Sequence, residues 1–108
     1  MNSLNSILIE GILENNPRIE KRGNEIVFHF VIWYMYIKEV ENDIVKKKFT
    51  IDVEILKRDK TEKVEFLKKG SAVRIVGTLL QDELLNNYIL ASCIDIKPRL
   101  LFGGSNET

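Results

Sequence analysis

One segment, FHFVIWYMYIK at residues 28–38, constrains the fold of this chain more than any other. It holds five of the nine aromatic residues. The run from Ile26 to Ile37 is dense in β-branched and aromatic side chains, which favour strands over helices. Because the run is long for a single strand, it predicts a bulge or bend within the strand. The chain is therefore expected to be built around an aromatic strand.

Side chains alternate across a strand, so residues 27–36 divide into two faces. One face holds Phe28, Phe30, Ile32, Tyr34 and Tyr36, and the other holds Val27, His29, Val31, Trp33 and Met35. The first face is apolar up to the tyrosines, which predicts that its two phenylalanines and its isoleucine fill the interior. The second face contains the only histidine, which an unpaired apolar core would exclude, so it is expected outside. A bulge near Ile32 would exchange the inward and outward faces for all later residues. Tyr34 would then point outward in place of Trp33.

Four further stretches are predicted strands, and one is a predicted helix. The strands are residues 7–13, 49–56, 71–80 and 88–96, with Gly77 at a bulge. Residues 14–25 carry turn signals, and residues 38–48 are expected to form a charged hairpin loop centred on Asn42 and Asp43. Asp59 with Glu62 fits a capping box, and Gly70 stands where a C′ glycine ends a helix. This order predicts an all-β fold with one short helix. By analogy it is the OB-fold, a five-stranded Greek-key barrel with the helix between strands three and four. We expect residues 1–99 to form this domain and residues 100–108 to form a tail.

Length and charge limit what the chain can do. Its 108 residues suit one domain, and its 16 basic and 16 acidic residues cancel, so nucleic-acid binding would depend on local patches. No apolar run approaches the ~20 residues of a membrane span, and no secretory signal is present, so we expect the cytoplasm and no membrane partner. Cys93 alternates with Ile89 and Ala91 and is expected to be buried. With one histidine, one cysteine and no catalytic motif, we predict neither an enzyme nor a metal or other cofactor.

Several stretches resemble bacterial single-stranded DNA-binding proteins. NSILIEGILENNPRI at residues 5–19 is similar to their first strand, of the form N-x-[VI]-x-[LI]-x-G, and the Asn-Pro loop after it. FLKKGSAVRIVGTL at residues 66–79 is similar to their helix end and fourth strand. DVEIL at 52–56 stands at their third strand, and LLFGG at 100–104 stands near the end of their folded domain. The resemblance implies an OB barrel, a homotetramer at the nucleoid, and sequence-tolerant binding of single-stranded DNA in replication, recombination and repair.

The sequence departs from this family at the aromatic positions that stack on bases. The third-strand positions fall near Thr50 and Leu56, and the hairpin position falls near Leu84, and none of these is aromatic. Only the second-strand position keeps a ring, Tyr36. The family also recruits replication and repair proteins through a tail with an acidic Pro-Phe tip, and GGSNET at residues 103–108 has no such tip. Those proteins are therefore a weaker expectation as partners than single-stranded DNA and further copies of this chain.

Aromatic and basic side chains together make up the predicted nucleic-acid site. Trp33 on the outer face is expected to stack on bases of any identity, and packing against another subunit is the competing interpretation. For Tyr34 and Tyr36 the alternative is that they cap the barrel mouth. Basic loops beside an aromatic strand suit a phosphate backbone, whereas Asp52 would repel it. The candidate residues are His29, Trp33, Tyr34, Tyr36, Lys38, Lys46, Lys47, Lys48, Leu56, Lys57, Arg58, Arg74 and Arg18.

Two other functions stay open from the sequence. The missing aromatics and the zero net charge favour an OB module that binds protein, whereas the motif resemblance and the lysine run 46–48 favour DNA. The sequence is equally compatible with an RNA-binding OB domain, because stacking on a base does not distinguish ribose from deoxyribose. If the chain assembles as the resemblance implies, the apolar strand 7–13 and residues 100–102 are expected at subunit contacts.

Overall fold

The structure, a computed structural model, describes residues 5–57 and 62–97 of the chain. Its elements are β1 (Ile7–Leu13), β2 (Arg18–Arg22), β3 (Glu25–Val40), β4 (Asp43–Leu56), the 3₁₀ helix η1 (Glu62–Phe66), β5 (Ala72–Gln81) and β6 (Asn87–Ile96). Arg58, the predicted tail and the domain boundary at residue 99 lie outside the described residues. Within the described ranges, no helix is long and apolar enough to cross a membrane.

Five of the strands close into a barrel. The hydrogen-bonded order is β1-β5-β6-β4-β3, and β3 returns to β1 through the pairs Ile12–Trp33 and Leu13–Ile32. These neighbours are antiparallel except β4 and β6, which run parallel. The closed five-stranded barrel confirms the predicted all-β OB-fold. β2 lies outside the ring and extends the sheet beyond β3.

The barrel interior is filled by aliphatic and phenylalanine side chains. Phe28, Phe30 and Ile32 of β3 are buried in this core, as the alternation predicted, while His29 and Trp33 on the other face are half-buried. Burying one such apolar side chain contributes about 1.5–3 kcal/mol, so the core fixes which face of β3 points outward. The other core residues are Leu13, Val53, Ile55, Val64, Leu67, Val73, Ile75, Ile89, Ala91 and Ile94.

The segment predicted as a charged hairpin loop, residues 38–48, is the end of a hairpin, but its two strands stay paired almost to the tip. β3 and β4 pair in unbroken register as far as Val40–Asp43, so Glu41 and Asn42 alone make the turn. Both turn residues have positive φ, 50° and 70°, as in the two-residue turns whose twist matches the flanking strands. The unbroken register also shows that the predicted bulge in the aromatic strand is wrong. The alternation of the two faces is therefore unbroken, although Val27, which belongs to the face expected outside, is fully buried.

The turn-rich stretch at residues 14–25 contains a strand that was not predicted. β2 pairs with the beginning of β3 and places Arg18 beside His29. Gly23 has a φ of 59°, which glycine adopts readily, and it makes the tight turn between the two strands. Before β2, the Asn16 side chain accepts a hydrogen bond from the backbone N–H of Lys69 at 2.8 Å. The turn residues thus mark the ends of a strand rather than one continuous loop.

The predicted α-helix is a short 3₁₀ helix in the described residues. Its proposed N-cap, Asp59, lies outside them, and the five residues of η1 make less than two turns. Val64 and Leu67 are buried in the core, in keeping with their spacing of three residues. Gly70 has a φ of 91° in the turn that leads to β5, a conformation that favours glycine. The segment therefore covers one end of the barrel without forming a regular helix.

A β-bulge between β5 and β6 overturns the prediction that Cys93 is buried. Val76 pairs with Cys93 and Gly77 pairs with Ala91, so Ser92 is the extra residue. The Ser92 hydroxyl donates a hydrogen bond to the carbonyl oxygen of Val76 at 3.1 Å. The extra residue shifts the alternation of β6 by one position. Cys93 is therefore exposed, and Ile94 points into the core instead. The bulge predicted at Gly77 is confirmed by this register shift.

Candidate nucleic-acid interface

The outer faces of β3, β4 and β6 form one continuous surface. Strand pairing places Val31 beside Asp52 and Asp52 beside Tyr88, so these three residues form a row across the sheet. His29 and Glu54 form the next row. A groove of about 660 Å³ opens above these rows. This surface lies on the side of β3 that the alternation assigned to the outside.

Two loops form walls of this groove. The β5–β6 hairpin contributes Leu84, and its turn is held by Asp82, whose Oδ1 accepts the backbone N–H groups of Leu84 and Asn86, both at 2.9 Å. The β1–β2 loop contributes Asn15, whose Oδ1 accepts the N–H of Val31 at 3.0 Å. The Asp82 bonds hold the hairpin turn in shape, and the Asn15 bond fixes the β1–β2 loop to β3 in the floor of the groove.

Four ionisable side chains form a network at the β2 side of the groove. Arg22 binds both oxygens of Glu54 at 3.1 Å each and also donates to Glu20. His29 Nε2 lies 2.9 Å from Glu20 Oε1, and His29 Nδ1 lies 3.4 Å from Glu54 Oε2. The hydrogen bond from Arg22 holds the pKa of Glu20 below its ordinary value, and Glu54 and Glu20 raise the pKa of Arg22. Arg22 is therefore already neutralised by this chain's own carboxylates.

Trp33 lies on the same outer face, one row beyond the groove. Its strand partner is Thr50, and its ring is half-buried. The Nζ atom of Lys48 lies 5.1 Å from the centroid of this ring, within the range of a cation–π interaction. Lys48 also forms an exposed ion pair with Glu14 at 2.9 Å. The structure thus places an accessible indole and a lysine together, on the face that the sequence predicted for Trp33.

Beyond the barrel, the β3–β4 hairpin continues as an arm, residues 34–50, in which every residue from 35 onward is exposed. Tyr34 stacks on Phe49 with ring centroids 5.7 Å apart, and Tyr36 meets the same ring edge-on at 6.4 Å. The Nζ atom of Lys47 lies 5.7 Å from the Phe49 centroid. Because neighbouring residues alternate, the other two lysines of the run 46–48 belong to the opposite face of the arm. Both faces of the arm therefore combine apolar groups with positive charge.

Two more predicted site residues lie at the groove or the arm. Arg18 lines the groove beside His29, its partner across the β2–β3 ladder. Lys38 lies on the arm opposite Val45. Arg18 therefore lies beside the beginning of the aromatic strand, and Lys38 lies near its end.

Three other predicted site residues lie away from the groove. Lys57 pairs with Glu65 of η1 at 2.9 Å and lines a second, smaller pocket beside that helix. Arg74 pairs with Glu10 across the β1–β5 ladder at 2.8 Å. Leu56 is half-buried at the end of β4, and Arg58 is outside the described residues. Lys57, Arg74 and Leu56 do not line the groove.

Several residues of this surface were not predicted as site residues. Tyr88 reaches the groove because β6 pairs in parallel with β4, a non-local contact that sequence spacing does not reveal. Phe49 follows the lysine run 46–48 directly in the sequence, and this position beside three lysines could have identified it as a site residue. Four carboxylates also line the groove, those of Asp52, Glu54, Asp82 and Glu83. The groove is therefore more acidic than the predicted site.

Comparisons with known proteins were made by sequence and by structure. No protein-family model matches the sequence, and no curated protein matches it. A deletion mutant of the single-stranded DNA-binding protein of Thermus aquaticus superposes with a TM-score of 0.75 at 18% identity, covering 89% of this chain and 51% of that one. This chain thus spans about half the length of that protein.

Two other solved structures match over nearly their whole length. The Plasmodium falciparum SSB in complex with single-stranded DNA gives a TM-score of 0.77 at 17% identity, with 91% of this chain and 98% of that one covered. The small single-stranded DNA-binding protein of Streptomyces coelicolor gives 0.72 at 18% identity, with 90% and 96% covered. These likenesses confirm, at the level of the fold, the resemblance that the sequence predicted.

Proposed function

We propose that this protein binds and protects single-stranded DNA with little dependence on sequence, in replication, recombination and repair. The observation that carries the proposal is the half-buried Trp33 ring with Lys48 above it, at the junction of the groove and the arm. An aromatic ring stacks on any base, and a lysine neutralises a phosphate without reading the base. Single-stranded DNA-binding proteins of the same fold support the proposal. The role requires no catalysis and no cofactor, and it places the protein in the cytoplasm at the nucleoid.

Bases and phosphates are expected to occupy different parts of this surface. Four carboxylates line the groove, so a phosphate backbone would be repelled from its floor. The arm carries Lys38 and the lysine run 46–48, and Arg18 stands at the groove without an ion pair to any described residue. A strand that turns its bases toward β3, β4 and β6, and its phosphates toward the arm and Arg18, satisfies both requirements. The predicted repulsion by Asp52 then applies to phosphates and not to bases.

Trp33→Ala should weaken the binding of oligonucleotides by about 1–3 kcal/mol, the range for one stacked base. The loss should be similar for different bases, because each presents a π-face to the ring. In the wild-type protein, stacking should quench the emission of this single tryptophan until the site saturates. Fluorescence titration of the wild type and anisotropy of a labelled oligonucleotide with the variant measure the two effects.

Phe66→Ala provides the matched control for Trp33, because Phe66 is 74% exposed and lies on η1, away from the groove. Its removal should leave DNA binding unchanged. If Trp33→Ala instead dissociates the assembly while DNA affinity per folded chain is retained, the indole is a subunit contact and the stacking role is wrong.

The proposal includes a homotetramer, with β1 at a subunit contact. Leu8 is 65% exposed and stands beside Val76 on the outer face of the β1–β5 ladder. Leu8→Glu should therefore shift an oligomer toward smaller species, whereas Ile19→Glu, at a similarly exposed position on β2, should not. Sedimentation of the three proteins at micromolar concentration tests this. A wild-type species of 12.5 kDa would exclude the assembly.

A second candidate function is the recognition of a basic protein segment. The observation that favours it is the groove itself, whose four carboxylates outnumber its free cations. A cationic peptide would find acceptors there, and replication or repair proteins are the partners that the resemblance suggests. If wild-type protein binds no oligonucleotide at low salt but retains lysine-rich peptides, this function replaces the first.

A further inference from the structure

Asp52 has an unusual position for a charged residue on a surface proposed to bind DNA. It lies in the middle of the groove floor, between Val31 on β3 and Tyr88 on β6. Adjacent strands are about 4.8 Å apart, so the carboxylate has an apolar neighbour on one side and a ring on the other. Asp52 is exposed and makes no hydrogen bond or ion pair within residues 5–57 and 62–97. Its two oxygens are therefore available to a ligand.

The other charges of the groove are mostly engaged. Glu54 is bound by Arg22, and Asp82 accepts two backbone N–H groups of its own turn. Asp52 differs from both because no donor within residues 5–57 and 62–97 reaches it. An ionised carboxylate can only accept hydrogen bonds, so a ligand group that meets Asp52 must be a donor. Phosphates and carbonyl oxygens do not meet that requirement, whereas amino groups, with two N–H donors, and ring N–H groups, with one, do.

Nucleobases differ in the donors that they present on their exposed edges. Cytosine carries an amino group at C4, and adenine carries one at C6, whereas thymine and uracil carry an acceptor oxygen at C4 and a single ring N–H donor at N3 beside it. In a single strand these edges are not paired and can point into a groove. A base that lies against Tyr88 with its edge toward the row Val31–Asp52 would therefore be favoured if it has an amino group. A base with a carbonyl there would face a carboxylate.

We propose that Asp52 makes this groove select nucleotides that carry an exocyclic amino group, cytosine in preference to uracil or thymine. The inference rests on the proposed function, since it concerns the same surface, and it adds base selectivity to it. Trp33 contributes equally for all bases, and Asp52 contributes the difference between them. A bond between the carboxylate and an amino group should favour oligo-dC over oligo-dU about fivefold. These two oligonucleotides differ at C4 and in the proton on N3, and neither carries the methyl group of thymine.

Asp52→Asn tests the assignment because asparagine has nearly the same shape but offers both a donor and an acceptor. It can bond to the C4 oxygen of uracil as well as to the amino group of cytosine. The ratio of the two affinities should therefore fall from about five to about one. Anisotropy of labelled oligo-dC and oligo-dU of equal length, at one fixed salt concentration, gives the ratio. Circular dichroism checks that the variant folds.

Glu83→Gln is the matched control, because it removes one negative charge from the same groove at its hairpin wall. This change should strengthen the binding of both oligonucleotides by the same factor and leave their ratio intact. If Asp52→Asn behaves in the same way, or if the wild type binds both oligonucleotides equally, then Asp52 only repels phosphates and the selectivity is wrong. Absence of binding to either oligonucleotide would instead overturn the proposed function itself.

Discussion

Replacing Lys46, Lys47 and Lys48 together with glutamate should weaken the binding of single-stranded DNA about a hundredfold at low salt. Each lysine that neutralises a phosphate releases a counterion, so the logarithm of the affinity falls with the logarithm of the salt concentration. For single strands the slope of this plot has a magnitude of about 0.7 per neutralised phosphate. Three lysines that each neutralise one phosphate should therefore contribute about 2 to the total slope. Titrations of a labelled oligonucleotide at several salt concentrations measure both quantities.

The position of these lysines explains the size of the expected effect. The arm is exposed on both faces, so a strand that wraps around it can reach Lys46 and Lys48 on one face and Lys47 on the other. Lys48 forms its ion pair with Glu14 in the open, and exposed pairs of this kind contribute only about 0–1 kcal/mol. A phosphate can therefore replace Glu14 at little cost. The substitution should leave the fold intact, because no residue of this run is buried.

The control for this experiment is a second triple variant, Lys21, Lys68 and Lys69 to glutamate. These lysines are also exposed, and the change in net charge is the same, but they line neither the groove nor the arm. The control should lower the affinity much less and leave the salt slope almost unchanged. If both variants reduce the slope equally, binding responds to overall charge and the arm is not the phosphate site.

The interior of the barrel could be predicted because it depends on local alternation. Phe28, Phe30 and Ile32 recur at every second position, and a strand has no other way to bury all three. The same alternation located Trp33 on the opposite face. It failed at Cys93, because the extra residue of the bulge is Ser92 on β6 and shifts the period there, whereas the sequence signal for the bulge, Gly77, lies on β5.

The groove could be predicted only in part, because it is assembled from strands that are distant in the sequence. Tyr88 meets Asp52 through the parallel pairing of β4 and β6, and Arg22 meets Glu54 across β3. Neither contact can be predicted from the spacing of these residues in the sequence. Arg22 therefore looked like a cation in a loop, whereas the structure shows it in a strand and neutralised. The acidic floor that leads to the proposed base selectivity was hidden for the same reason.

Gly77 and Gly11, which belong to the stretches that resemble the DNA-binding family, have a steric explanation in the structure. A Cβ atom at Gly11 would lie 2.8 Å from the carbonyl oxygen of Trp33, where β1 meets β3 to close the barrel. A Cβ atom at Gly77 would meet β6 at the bulge. Both glycines thus permit close approach of two backbones. The presence of glycine at these two positions of the resemblance is therefore explained by barrel closure rather than by DNA binding.

Gly77→Ala should consequently lower the free energy of unfolding by about 3 kcal/mol, at the upper end for overpacked sites. The new methyl group would overlap the carbonyl oxygen of Leu90 and lie 2.8 Å from Cγ2 of Ile89 and 2.9 Å from Cα of Ala91. Two of these atoms belong to the backbone and cannot turn away by changing rotamer. β5 and β6 must therefore separate, and their hairpin, which forms a wall of the groove, must move with them. Denaturant titration followed by circular dichroism measures the loss.

Gly23→Ala separates this packing effect from the ordinary effect of replacing a glycine. Gly23 has a φ of 59°, but a Cβ atom there would meet nothing within 4 Å, so only the conformational cost of about 1 kcal/mol is expected. Gly23→Ala should also retain its affinity for oligonucleotides, whereas the folded fraction of Gly77→Ala should bind less tightly because the groove wall has shifted. Equal losses of stability in the two variants would mean that the contact between β5 and β6 relaxes freely, and that the bulge does not hold the groove in place.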